Sequence, residues 1–213
     1  MNSQQKILNE NFLYYVQKNN ILKAKKSIEA GADVNALDLA FGRPALMYAI
    51  FNENMDMFKM LLEKGANPNK FADYKNNYFS PLMVCAMMNS YKKATETQKE
   101  MAKILLAKGA DINAMDHQGR TSLVLSVYYC QPEMTALLIK KGADVNKVPN
   151  GKPTALKIAQ LNWSKDKSFK QVIKLLEEKT IEKSSSVAQP IIKQEVKIVQ
   201  TKMGVFSHQN DGN

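Results

Sequence analysis

The 213-residue chain is poor in the side chains that most catalysis requires. It holds two histidines, His117 and His208, and two cysteines, Cys85 and Cys130. Neither cysteine has metal or redox spacing, so a disulfide scaffold and a zinc site are both disfavoured, and small buried thiols in a reducing compartment are expected. Neither histidine has an acid or cysteine framework around it. No glycine loop of phosphate-cradling type and no G-x-S-x-G turn occurs. A catalytic site needs convergent groups, so the reading is a non-enzyme with no catalytic, cofactor-binding or metal-binding residue. Arginine is scarce too. Only Arg43 and Arg120 stand among thirty basic residues, in a chain of formal net charge +10. Base readout and bidentate phosphate clamping favour arginine, which argues against nucleic acid as the partner. Apolar runs of membrane-spanning length are missing. Met1 to Glu10 is polar and lacks the apolar stretch of a secretory signal. The expected compartment is cytoplasmic. The alternative is export as a secreted effector without a classical signal peptide.

What the chain does have is repetition. Gly31-Ala32-Asp33-Val34-Asn35 returns as Gly65-Ala66-Asn67-Pro68-Asn69, Gly109-Ala110-Asp111-Ile112-Asn113 and Gly142-Ala143-Asp144-Val145-Asn146, at intervals of 34, 44 and 33 residues. A period near ~33 is the mark of a stacked solenoid. The later copies follow the apolar helical runs Met60-Leu61-Leu62, Ile104-Leu105-Leu106 and Leu137-Leu138-Ile139, so each glycine reads as a helix stop. The Asp/Asn pair is expected to turn the chain by bonding its own backbone. Upstream lies a shorter helical segment in each unit, opening at Pro44, Ser80-Pro81, Thr121 or Thr154, residues suited to helix starts. Each unit is thus turn, short helix, longer helix, glycine stop.

On these residues the chain resembles the ankyrin-repeat family, from about residue 5 to 180. The segments Pro44 to Ala49, Ser80 to Cys85, Thr121 to Ser126 and Thr154 to Ala159 stand where the family has Thr-Pro-Leu-His-x-Ala. The motif histidine is absent throughout, replaced by Met47, Met83, Val124 and Lys157. The resemblance implies an all-α ankyrin-repeat solenoid of about five helix-turn-helix units joined by β-hairpin-like loops.

The expected domain covers residues 1–180, with units at about 5–36, 37–70, 71–114, 115–147 and 148–180. The first unit is a cap, with Ile7, Leu8, Phe12, Leu13 and Val16 on its first helix and Lys23, Lys25 and Lys26 on its wet side. Unit three is long: Cys85 to Gly109 is 24 positions, against 16 from Ala49 to Gly65 and 16 from Ser126 to Gly142. The eight extra residues are placed at 90–97, between the two helices. Cys85 and Cys130 fall in first helices. Residues 181–213 read as a disordered tail, with one β-prone stretch at Ile191 to Val199 that could dock as an added strand.

The resemblance also implies use: a module that binds a partner protein through its concave groove and hairpin tips, as adaptor or inhibitor. The other uses in view are a translocated bacterial effector binding a host protein and a regulatory subunit of an enzyme. Placed by phase, the groove residues are Phe41 and Arg43, Phe51, Phe79, Met87 and Met88, His117 and Arg120, and Tyr128 and Tyr129, with Leu161 and Asn162 at the matching positions of unit five. Aromatic, Met and Arg side chains are enriched at interface centres. Residues 140–179 carry ten lysines and four acids, a balance of +6; the preferred reading is a solvated, soluble cap, and the alternative is a partner protein with an acidic face. A monomer is expected.

Overall fold

A computed structural model describes residues 3–74, 77–87, 94–149, 151–163, 167 and 169–180. The expected tail at 181–213, together with Met88, lies outside these residues. The chain folds as successive helix pairs: α1 (Ser3–Gln17) with α2 (Ile21–Glu29), α3 (Ala45–Phe51) with α4 (Met55–Glu63), α5 (Pro81–Met87) with α6 (Glu96–Ala107), and α7 (Ser122–Tyr128) with α8 (Pro132–Lys140). Helix α9 (Ala155–Trp163) precedes a closing helical stretch at 169–180. We call each pair, with the loop before it, a unit. Strands β1 (Ala72–Tyr74) and β2 (Asn77–Phe79) form an antiparallel hairpin ahead of α5, with Ala72 opposite Phe79. The loop before α3 has a single bridge, Leu37 to Pro44. The fold class is therefore all-α, as the repeated phrase predicts.

Sequence explains the helices directly. In α4 the buried residues are Met57, Phe58 and Leu61, the one-face spacing of an amphipathic helix. The polar residues at helix starts act as caps. Asn20 Oδ1 accepts from the Lys23 amide, Asn54 Oδ1 from Met57 and Thr121 Oγ1 from Val124. The phrase glycines Gly31, Gly65, Gly109 and Gly142 end their helices at φ between 85° and 101°, the left-handed stop the sequence implied. Helices α1, α3, α5, α7 and α9 stack in series, and their buried faces join those of the longer helices in one core. Phe12, Phe58 and Phe169 are among its largest fully buried side chains.

The Asn of each phrase does more than turn its own chain. The local turn is made by the Asp position: Asp33 Oδ1 accepts from the Asn35 amide at 2.8 Å, and Asn67, Asp111 and Asp144 repeat the bond. The Asn instead reaches the next unit. Asn35 Oδ1 accepts from the Asn67 amide at 2.7 Å while its Nδ2 donates to the Gly65 carbonyl at 3.2 Å. Asn69 treats Asp111 and Gly109 the same way, at 2.8 and 2.9 Å, and Asn113 accepts from Asp144 at 2.8 Å. The expectation that both residues bond their own backbone is corrected to this ladder. It gives a test. Asn69→Ala removes two inter-unit bonds and is expected to cost about 1–2 kcal/mol in chemical denaturation. Asn146→Ala, at the last rung, should be near neutral. Equal effects would show that the ladder does not couple units.

Three further expectations change. Helix α6 begins at Glu96, on a Thr95–Gln98 capping box, 13 residues before its glycine, Gly109, against 10 from the start of α4 to Gly65 and of α8 to Gly142. So three of the eight extra residues extend the helix and five lengthen the connection, rather than all lying between helices. The reason is the cap: Thr95 Oγ1 and Gln98 Nε2 donate to the two Glu53 carboxylate oxygens, each at 2.9 Å, fixing the helix start against unit two. Cys130 is not in a first helix. It sits in the α7–α8 turn at φ 57°, the same left-handed position as Asn19 and Glu53. Ile7 is exposed, so it contributes nothing to the core of α1.

Candidate functional site: the short-helix face

The short helices stack more closely on one another than the long ones do, so this side forms the inner face of the array. Three of the short helices carry, at one phase near the C-terminal end, a side chain that the core does not take. Phe51 is 40% exposed, Tyr128 48% and Leu161 66%. These are the same phase of α3, α7 and α9, so the exposure follows from the repeat. Met87, at that phase of α5, is half-buried.

At unit two the expected residues converge. The Arg43 guanidinium carbon lies 4.6 Å from the Phe41 ring centre and 5.0 Å from that of Phe51, a cation held between two faces. The loop beneath is shaped by Asp38, which is buried. Its carboxylate accepts from the amides of Ala40, Phe41 and Arg43 at 2.9, 2.6 and 2.9 Å, and from the Tyr48 hydroxyl at 2.8 Å. Burial, and then the bond and charge of Asp38, push the Tyr48 hydroxyl up to about 12 from its ordinary 10. The fold therefore favours the protonated phenol. Its stabilising effect is complete below pH 10, the ordinary Tyr value, and is lost as pH rises toward 12. Denaturation between those limits should show a decline in stability that Tyr48→Phe lessens. An identical decline in both proteins would assign it to other groups.

Unit four uses the same loop differently. Asp116 accepts from the amides of Gln118 and Arg120, at 2.9 and 2.8 Å. Here the residue matching Tyr48 is Leu125, which has no hydroxyl to offer. Arg120 takes its place, donating Nε and a terminal nitrogen to Asp116 Oδ2, each at 2.7 Å. It also lies 5.9 Å from the Phe79 ring centre. His117 meets Tyr78 edge-on at 6.4 Å, and Tyr128 meets Tyr129 at 5.2 Å. Between units four and five opens a cleft of about 380 Å³, whose walls include Arg120, Val124, Tyr128, Lys152, Ile158 and Leu161.

Thus Phe41, Arg43 and Phe51 come together, as do Phe79 and Arg120, while Arg120 and Tyr128 both line the cleft. Met87 is half-buried on α5, and Met88 and the side chain of Asn162 lie outside the described residues. Sequence reasoning missed Tyr78, which is exposed on β2. It also missed a cleft of about 550 Å³ between α1 and the loop before α3, bordered by Tyr14, Leu39 and Lys70. Tyr78 could have been found from strand alternation beside Phe79. The second cleft could not, since no phased motif marks it. Among the described residues no group of three or more His, Cys, Asp or Glu could hold a metal ion. None of the described helices is long and apolar enough to cross a membrane.

Compared with known proteins, the chain matches the family described as ankyrin repeats (3 copies) over residues 12–116 and 93–186. It is 31% identical over 118 residues to an ankyrin repeat-containing protein of Treponema pallidum (strain Nichols), an alignment covering 55% of this chain and 36% of that relative. The match therefore spans little more than a third of the relative's length.

Proposed function

Since the chain belongs to the ankyrin-repeat family, whose members are generally protein–protein interaction modules, we propose that it is a non-catalytic adaptor or inhibitor that holds one partner protein along its short-helix face. The observation that supports this reading is the set of large apolar side chains left exposed at one phase of three short helices, Phe51 of α3, Tyr128 of α7 and Leu161 of α9. A monomer has no use for such a set in its own core, and exposed apolar patches mark interaction surfaces. The hairpin residues Phe41, Arg43, Phe79, His117 and Arg120 flank it. The interaction domain is placed at residues 1–180, acting as a monomer in the cytoplasm.

The test starts from affinity capture of the partner with the full chain, followed by titration of the purified pair. Tyr128→Ala/Tyr129→Ala should weaken binding by ~30-fold or more, the effect of an interface anchor of ~2 kcal/mol. Circular dichroism checks that the fold is kept. Unchanged affinity in the folded double variant would refute the short-helix face as the binding surface.

A further inference from the structure

Resting on that reading, we propose that the cleft between units four and five is a peptide subsite, and that its occupant is an acidic segment of the partner carrying a large apolar anchor. Two properties of the cleft point there. Its walls are apolar where they are deep: Val124, Val148, Ile158 and the exposed faces of Tyr128 and Leu161. Its charge is of one sign. Arg120 and Lys152 line it and no carboxylate does. Arg120 is spent on Asp116, so the charge available to a ligand comes from Lys152, backed by exposed Lys147 and Lys157 in the same loop and helix. None of these three lysines forms a salt bridge with a described residue, in contrast to Lys99 with Glu96 or Lys103 with Glu100.

Two other concavities among the described residues lack this pairing. The cleft at α1 mixes Lys6 and Lys70 with Glu10, Asp33 and Asp38, and its Lys6 and Glu10 pair with each other. It selects for no charge. The concavity between α8 and the closing helical stretch is bordered by Glu133 and by no lysine. Size narrows the occupant further. About 380 Å³ is near the lower end of ordinary ligand pockets, ~300–1,000 Å³. It suits one or two anchoring side chains of a segment that continues along the groove. The cleft is also pre-shaped. Gly119 on its rim backs directly against Pro149, so close that a Cβ there would lie 1.9 Å from the proline Cγ. A rigid rim lowers the ordering cost of binding. A carboxylate in reach of Lys152 and an apolar side chain against Tyr128 and Leu161 would satisfy both features at once.

The experiment is selection from a displayed library of random peptides on the full chain. The enriched peptides are then synthesised with a fluorescent label and titrated against variants. The expected result is enrichment of Asp or Glu beside Leu, Ile, Phe or Met. Affinity should fall at least ~tenfold in Lys152→Glu/Lys157→Glu and in Leu161→Asp, and should decline with salt. All three sites are exposed, and circular dichroism with thermal melting confirms that the variants fold. Peptides that are neutral or basic, acidic peptides that bind these variants unchanged, or no enrichment at all would each overturn the proposal. Binding lost only in Arg43→Ala/Phe51→Ala would also overturn it, while leaving the short-helix face as the interaction surface. Binding indifferent to every one of these variants, and to Tyr128→Ala/Tyr129→Ala, would remove both.

Discussion

Phe58→Ala is expected to lower the unfolding free energy by about 3–5 kcal/mol, the usual cost of emptying an aromatic site in a core. Phe58 is 0% exposed and sits in α4, between neighbours Met57 and Leu61 that are equally buried. The short-helix row and the long-helix row meet at this layer, so the cavity cannot collapse without moving α3 or α4. A stack of repeats transmits such a loss to its neighbours, because each unit is stabilised mainly through the interfaces on either side. The denaturation profile should therefore broaden as well as shift, with the units before Gly65 melting ahead of those after it. Tyr128→Ala is the comparison. Tyr128 is half exposed, and its removal should change stability by about 0.5 kcal/mol or less beyond the loss of its edge contact with Tyr129. A loss below ~1 kcal/mol for Phe58→Ala would show that α4 is not held in the layer described.

The contrast between these two residues reflects what the sequence could disclose. Burial at Phe58 was legible from spacing alone, since it lies on the apolar stripe of a helix stopped by Gly65. Exposure at Phe51, Tyr128 and Leu161 follows the phase of the repeat, although Met87 at the same phase of α5 is half-buried. What could not be read was how neighbouring positions choose partners. Arg43 and Arg120 occupy matching loop positions, and sequence treats them alike. In the fold Arg43 lies between two phenylalanines while Arg120 is locked to Asp116. Five residues on from each arginine the units also differ: Tyr48 gives its hydroxyl to Asp38, where Leu125 has only methyls. That is a question of which donor reaches a buried carboxylate, and spacing carries no information on it. The Asn ladder escaped notice for a similar reason. A phrase that repeats looks self-contained, although each Asn serves the phrase one repeat later. Unit three shows the same limit: its extra length was countable, but its division between helix and connection depended on a Thr95–Gln98 cap bound to Glu53 of another unit.

Gly119→Ala is expected to be far more damaging than Gly65→Ala, although both glycines have a left-handed backbone. Gly65 has φ 89° and Gly119 φ 75°. Each substitution incurs the left-handed strain of an L-residue, roughly 1–2 kcal/mol. At Gly65 nothing lies within 4 Å of the added Cβ, so strain is the whole effect. At Gly119 the Cβ would come within 1.9 Å of Pro149 Cγ and 2.6 Å of its Cδ. A proline ring cannot swing aside as a flexible side chain does, so the two backbones must separate. Forcing an extra methyl into packed surroundings adds typically ~1–3 kcal/mol. The sum is about 2–5 kcal/mol at Gly119, against 1–2 at Gly65. Location then separates the consequences. Gly65 closes α4 on the ladder side, whereas Gly119 forms the rim of the cleft that holds Tyr128, Lys152 and Leu161. Gly119→Ala should therefore weaken binding of any ligand seated there, under conditions where both proteins are still folded, while Gly65→Ala should leave it unchanged. Paired denaturation and titration of the two variants measure both effects. Equal stability losses would mean that the rim yields to the methyl, and equal binding losses would mean that the Gly119–Pro149 contact does not shape the cleft.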